Sequence, residues 1–415
     1  MSGSRNRPLF FAGMLSGNLA YQIQSVAVAW HVFSLAHRPF DLGLAGLALF
    51  LPTFAFALPS GVLADRVDRR VIVALTSIFE GIAISGFALA VILHVTSIVV
   101  YLAIIFAIGT TQALGSPATR SLLPTIVPAS EYLRTQAAFS SLRQLTVIGG
   151  PALGGLLVAI STPLALGAST LLTLTAAALL GMLRIERNVE RNPPSLRDAL
   201  DGLHFIFAHK IVLAAISLDL FAVLFGGATA LLPAFATTIF HMGPTGLGVL
   251  RSSPAVGAAV VAALIARRPL GRNVGRTLLI AVTGFGIATI VFGLSKNFAL
   301  SIAMLVIVGA TDMVSVVIRN GLVQLSTPDA MRGRVSAVEN VFIGASNEFG
   351  DFESGTLAAF VGIVPAVVAG GIGTLLVIGL WAIFFPALRN ADRFIDLPAV
   401  PIAPEEPELV ENARV

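Results

Sequence analysis

Seven carboxylates stand inside long apolar stretches of this chain, and four of them, Asp219, Asp312, Glu348 and Asp351, are candidates to carry a proton. In a lipid-like interior each charge costs at least about 2.5–3.5 kcal/mol on insertion scales, so each needs a partner or a use. Holding and releasing a proton is one such use, and pairing between helices is the other. The densest group lies in 335–362, where Glu339, Asn340, Asn347, Glu348, Asp351 and Glu353 follow one another. At about 100° per residue, Asn340, Asn347 and Asp351 share one stripe, Glu348 lies about 80° aside, and Glu339 points away from Glu348. A stripe this polar must face water or protein. It reads either as a proton or cation site built on Glu348 and Asp351, or as a set of pairs locking this helix to its neighbours.

The other charges divide in the same way. Asp312 sits at a depth comparable to Glu348; two carboxylates held close together there cannot both stay ionised, which leaves one able to carry a proton. Asp219 stands isolated in its own apolar run. Arg251 lies level with Asp351 and Glu353, and is read either as their ion-pair partner or as a site for an anionic substrate. Arg319 is placed to neutralise Glu339, and Glu80 is expected neutral and hydrogen-bonded. Asn18, Gln22 and Ser25 recur at helical spacing beside Tyr21. With Asn347, they bind a substrate or a partner helix. No set of His and carboxylates has metal-ligand spacing, no G-x-x-x-x-G-K-S/T nucleotide loop occurs, and there is no cysteine. Metal, thiolate and ATP-driven chemistry are therefore not expected. The chain is read as a non-enzyme without cofactor, drawing on a proton gradient.

The elements that must position these groups are membrane helices. The 415 residues are 56% hydrophobic and only 12% charged, with a mean hydropathy of +0.90. Soluble proteins carry about 25% charged residues. A bilayer core about 30 Å thick needs roughly 20 apolar residues per helix. Runs of that kind fall at 10–35, 42–64, 71–94, 97–118, 136–160, 164–184, 211–237, 245–266, 277–295, 298–321, 335–362 and 365–386. The first carries Asn18, Gln22 and Gln24 and is read as a retained helix rather than a cleaved signal. Alternate hinges hold Arg66, Arg69, Arg70, Arg134, Arg184, Arg187, Arg191, Arg197, Lys210, Arg267, Arg268, Arg272, Arg276, Arg332 and Arg334, whereas the others hold little beyond Arg38 and Lys296. The positive-inside rule then places both termini in the cytoplasm. These bases sit in short hinges, which argues against nucleic acid despite a formal charge of +4. The tail after Arg389, rich in Pro and Glu, is expected to be disordered.

A polar stretch, 185–210, divides the spans into halves covering 1–184 and 211–388, with the tail at 389–415. Arg120 followed by PASEYLR, with Glu131 three before Arg134, is echoed by Arg319 followed by TPDAMRGR, with Asp329 three before Arg332. Each echo precedes a glycine-rich helix centre. An offset of about 200 residues at equivalent places points to a parallel duplication, whose binding site lies between the halves.

The hinge after the second run reads Gly61-Val-Leu-Ala-Asp65-Arg66-Val-Asp68-Arg69-Arg70. It resembles the loop signature of the major facilitator superfamily, with Asp68 where that pattern has glycine. Ile148-Gly149-Gly150-Pro151-Ala-Leu-Gly154-Gly155 is similar to the G-P-x-x-G-G element of its antiporter branches. Pro151 frees a carbonyl, and Gly150 and Gly154 form a close-packing pair. Residues 327–355 resemble the branch of enterobactin-type exporters and transmembrane secretion effectors. The resemblance implies an all-α fold of twelve membrane helices in two pseudo-symmetric six-helix bundles. Asp65, with Gly61, Arg69 and Arg120, would latch the halves at the cytoplasmic side in the outward-facing state. Spans one, four, seven and ten would line the cavity, which favours a role for Asp219.

The expectation is a proton-coupled exporter of a lipophilic or amphiphilic small molecule, monomeric, in a bacterial inner membrane. Uptake or lysophospholipid flipping on the same fold, and a channel or transport-dead sensor, are the alternatives.

Overall fold

The computed structural model describes residues 3–184, 196–268, 270–392 and 394, which form helices joined by short turns, with no strand among them. Helices occupy every run expected from hydropathy. Spans one to six are Gly3–Ala36, Pro39–Ala55 continued by Ala57–Arg66, Arg69–Ile92, Ile98–Arg120, Ala129–Ile160 and Thr162–Gly181. Spans seven to twelve begin with Lys210–Phe225 and its continuation to Ile239, followed by Pro244–Arg267, Val274–Leu294, Phe298–Ser326, Asp329–Val361 and Ile363–Phe384. Among the described residues, nine helices are long and apolar enough to cross a membrane on composition alone. Spans one, two and eleven fall outside that set. Polar residues dilute spans one and eleven, and span two is interrupted.

Two spans read as continuous are broken. Span two ends its first segment at Ala55 and restarts at Ala57, because Pro59 has no N–H to give the Ala55 carbonyl four residues before it. Span seven stops at Phe225, and Gly226 and Gly227 lead into a tight turn, Ala228–Leu231, and a widened turn, Phe235–Ile239. Hydropathy is blind to both breaks, because an apolar run reads the same whether or not its hydrogen-bond ladder is intact.

The six-and-six division is visible in packing. In the first half, spans 3 and 6, 1 and 6, 3 and 4, 2 and 4, and 1 and 5 lie against one another; spans 9 and 12, 7 and 12, 9 and 10, 8 and 10, and 7 and 11 repeat those contacts. The echoed segments also fold alike. Pro128 and Pro328 precede spans five and eleven with φ, ψ of −58°, 147° and −57°, 148°. Their carbonyls accept from Glu131 N and Met331 N, each at 2.9 Å. Between halves, span five meets span eight and span two meets span eleven, contacts that the same pseudo-two-fold interchanges.

In the polar stretch between halves, Leu196–Ala208 forms a helix that lies against span eleven, where Arg334 meets Asp201 at 3.2 Å. The tail expected to be disordered after Arg389 begins ordered, with Val274 N and Gly275 N donating to the carbonyls of Asp392 and Ala391 at 3.2 and 3.0 Å, and the rest of that expectation falls beyond 394, outside the described residues. Asp68, at the position of the signature's glycine, caps span three: its Oδ1 accepts from Arg70 N at 3.0 Å.

Candidate functional site between the halves

A cavity of about 340 Å³ lies between the two bundles, near the middle of the spans. Its polar lining comes from both halves: Tyr21, Gln22 and Ser25 of span one, Gln112 of span four, Arg251 of span eight, and Glu348 and Asp351 of span eleven. Arg251 donates to Ser25 Oγ at 3.1 Å, tying span eight to span one. Among the described residues no carboxylate oxygen lies within 4 Å of the guanidinium, so Arg251 faces Asp351 and Glu348 across the cavity rather than clasping them. Gln112 donates to Glu80 Oε1 at 2.7 Å, which gives that carboxyl the expected hydrogen bond and fixes the amide at the cavity wall. The broken part of span seven contributes Thr229 and Ala230. Discontinuous helices recur where transporters hold their ligands, since unwound backbone leaves polar groups to face the cavity.

The cavity is sealed at the face opposite the basic hinges. Gly155 of span five and Gly248 of span eight cross there: a Cβ on Gly155 would stand 2.5 Å from the Pro244 carbonyl oxygen, and one on Gly248 would stand 2.6 Å from that of Pro151. Gly43 and Gly355 make the related crossing of spans two and eleven, with a Cβ on Gly355 only 2.8 Å from Gly43 N. Val26 of span one, buried with Leu231, Leu247 and Phe292, fills the space beneath. These sealing contacts lie toward the non-basic ends of their spans.

The G-P-x-x-G-G element thus has two faces. Gly150 and Gly154 approach span one, at Gln22 and Ile23, while Pro151 and Gly155 approach span eight. At the basic face, Arg120 is exposed and the space beside Gly61 is open. The Asp65 side chain lies outside the described residues, and the latch with Arg69 falls there with it.

Several candidates lie elsewhere. Asp219 is not isolated. It forms an ion pair with Arg319, whose Nε also lies 3.6 Å from Glu339 Oε1, and all three side chains are under a tenth exposed. Sequence reasoning missed this pair because Asp219 and Arg319 are one hundred residues apart on different spans. Asp312 does not share a site with Glu348; it borders a void of about 10 Å³ together with Asp219, at the lower limit for one water molecule. Asn18 turns back on its own helix and donates to the Met14 carbonyl at 2.7 Å. Asn347 is exposed and outside the cavity lining. Glu353 faces away from Arg251, into a groove between spans seven and eleven. Gln24 and Gln112 are cavity residues that sequence reasoning passed over; each amide in an apolar run was the available signal. Among the described residues no group of three His, Cys, Asp or Glu is placed to hold a metal.

Comparison with known proteins follows this geometry. A family model described as transmembrane secretion effector matches residues 6–412. The enterobactin exporter EntS of Citrobacter koseri is 25% identical over 399 residues, 95% of this chain and 94% of that one. EntS of Escherichia coli K12 is 25% identical over 388 residues, 92% of each. Among solved structures, a mutant of the nucleoside transporter NupG superposes with a TM-score of 0.75 at 10% identity, covering 92% of this chain and all of that one. A bacterial homologue of the lysosomal transporter Spinster, inward-facing and unoccupied, gives 0.73 at 15%, covering 93% and 97%.

Proposed function

Because this chain belongs to the transmembrane secretion effector family of major facilitator superfamily transporters, we propose that it exports a lipophilic or amphiphilic small molecule across a bacterial inner membrane in exchange for protons, by alternating access. The observation that carries the proposal is the cavity shared by the halves, with Glu348 and Asp351 facing Arg251 across about 340 Å³. The two carboxylates and one guanidinium share a space lined by both halves and closed by the glycine crossings at one face. Protonating either carboxylate removes charge from a low-dielectric site, so proton occupancy biases which face of the cavity is favourable to open. Arg251 supplies a positive charge that faces both carboxylates across the cavity.

The basic hinges mark the cytoplasmic side under the positive-inside rule, with both termini there. On that assignment the two glycine crossings seal the outer face, and the conformation is inward-facing. The Asp65 latch would then close the cytoplasmic side in the opposite state. Gln22, Gln24 and Ser25 provide hydrogen bonds to cargo, and the apolar remainder of the wall suits a lipophilic body. Both EntS relatives support export as the direction. A monomer suffices, since each chain contributes both halves of the cavity.

The test is flux in proteoliposomes of purified protein under an imposed pH gradient, with catecholate siderophores, lipophilic dyes and lysolipids as trial cargo. Uphill cargo movement driven by the gradient, and lost in Glu348→Gln, is expected. Flux that ignores the gradient and is unchanged in Glu348→Gln would refute the proposal.

A further inference from the structure

Span eleven carries carboxylates on two faces, and only one face serves the cavity. On the other, Leu220 and Leu224 of span seven and Phe349, Phe352, Leu357 and Phe360 of span eleven line an apolar groove of about 630 Å³. Phe360 is 84% exposed; on a membrane span this places the groove against lipid. One charged group enters it, Glu353. The carboxylate's described hydrogen bond is from the neighbouring Ser354 hydroxyl, at 3.3 Å. Among the described residues no cation lies within 4 Å of it.

A carboxylate in that position is costly unless a ligand answers it. Glu353 is eight residues before the end of span eleven at Val361, so at 1.5 Å per residue it lies about 12 Å below the helix end. Half of the hydrocarbon core is about 15 Å thick. The ammonium head of a resident phospholipid stays at the bilayer surface and does not reach this depth. That head is held at the surface by its phosphate, whereas an ammonium joined directly to a single chain has no such tether and meets the Glu353 carboxylate when its chain lies in the groove.

We infer that the groove between spans seven and eleven binds a membrane-borne, single-chain cationic amphiphile, its ammonium at Glu353 and its chain along Leu224 and Leu357. Two aromatic contacts separate this groove from the central cavity: Phe50 with Phe349, centroids 5.3 Å apart, and Phe40 with Phe352, at 6.2 Å. Both join span two to span eleven, the seam that must part when the halves move. The groove is thus a lateral entry site on the lipid side of that seam. The entry role rests on the transport reading, whereas the binding does not.

The test uses the full chain in phosphatidylcholine nanodiscs and a dodecyltrimethylammonium probe with a photoreactive diazirine at its chain end. A neutral-headed probe of the same chain is the comparison. Saturable labelling of spans seven and eleven by the cationic probe is expected, with affinity reduced about tenfold or more in Glu353→Gln. The neutral probe should label both proteins equally and more weakly. Leu224→Trp, which fills the groove, should reduce labelling while Glu353 remains, and Asp68→Ala, at the cap of span three and away from the groove and the cavity, should leave it unchanged. Equal labelling in wild type and Glu353→Gln, equal affinity of the neutral probe, or labels confined to spans one and eight would overturn the inference. If labelling behaves as expected but no cargo flux follows the pH gradient, the transport reading fails and the binding site stands.

Discussion

Two acidic clusters share span eleven and meet opposite fates. Toward the basic face, Glu339 and Asp219 close on Arg319 with no solvent-sized space between them. Near the middle of the span, Glu348 and Asp351 look across an open cavity at Arg251. Both clusters hold two carboxylates and one guanidinium, so composition does not distinguish them. Access does. A proton carrier must reach water in at least one state, and a triad whose neighbouring space is a void of about 10 Å³ beside Asp219 has no continuous route for exchange in this conformation. The closed cluster is structural, joining spans seven, ten and eleven, and the open one is placed for coupling.

The largest effect should come from breaking the closed cluster. Arg319→Met leaves Asp219 and Glu339 buried without their cation, and should cost about 3–5 kcal/mol of stability. Thermal unfolding in detergent reads this directly. Restoring stability with Asp219→Asn and Glu339→Gln in the same background would show that the loss is the unpaired charge. Unchanged stability in Arg319→Met alone would dissolve the contrast between the clusters.

In the open cluster the same kind of change should spare the fold and remove coupling. Glu348→Gln should unfold within a degree or two of wild type, yet reduce gradient-driven flux about tenfold, within the 1–3 kcal/mol usual for coupling between sites. Because glutamine cannot titrate, the residual flux should also lose its dependence on pH. A destabilised Glu348→Gln would make this cluster structural as well.

The seal above the open cluster is the next target. Gly248→Leu forces a side chain against the Pro151 carbonyl and should bias the equilibrium by about 1–3 kcal/mol, the usual cost of overpacking. The native chain has no cysteine, so a single Val28→Cys on the cavity wall reports opening. Labelling by an impermeant thiol reagent from the non-basic face should accelerate in the Gly248→Leu background. The smallest effect belongs to a site remote from both clusters. Asp68→Ala removes the cap of span three and should cost about 1 kcal/mol, seen as faster amide exchange in the first turn after Arg69, with flux intact.

Much of the fold was legible before any coordinates. Runs of some twenty apolar residues bounded by arginine-bearing hinges place helices well, because both lipid thickness and the positive-inside rule act on local sequence. The phase of span eleven also put Glu348 and Asp351 together, since helical spacing is local. What could not be read was which helix faces which. Asp219 looked isolated because Arg319 approaches from span ten, and Asp312 looked like a neighbour of Glu348 because equal depth says nothing about azimuth. Gly43 and Gly248 drew no attention, and Gly355 was noticed only as part of an echoed glycine-rich helix centre, because a crossing exists only when two backbones meet. Glu353 was assigned to Arg251 by depth alone, and it faces the opposite side of its helix.

The central claim is that the Glu348–Asp351 pair exchanges protons with cargo, and thermodynamic reciprocity gives its most direct test. If a proton gradient drives cargo, a cargo gradient must drive protons. Proteoliposomes containing a pH-sensitive dye and no initial pH difference should change internal pH when a cargo gradient is imposed, with proton movement opposite to cargo movement, and Glu348→Gln should abolish the change. Cargo movement without a pH change in wild type, or a full pH change in Glu348→Gln, would contradict the account.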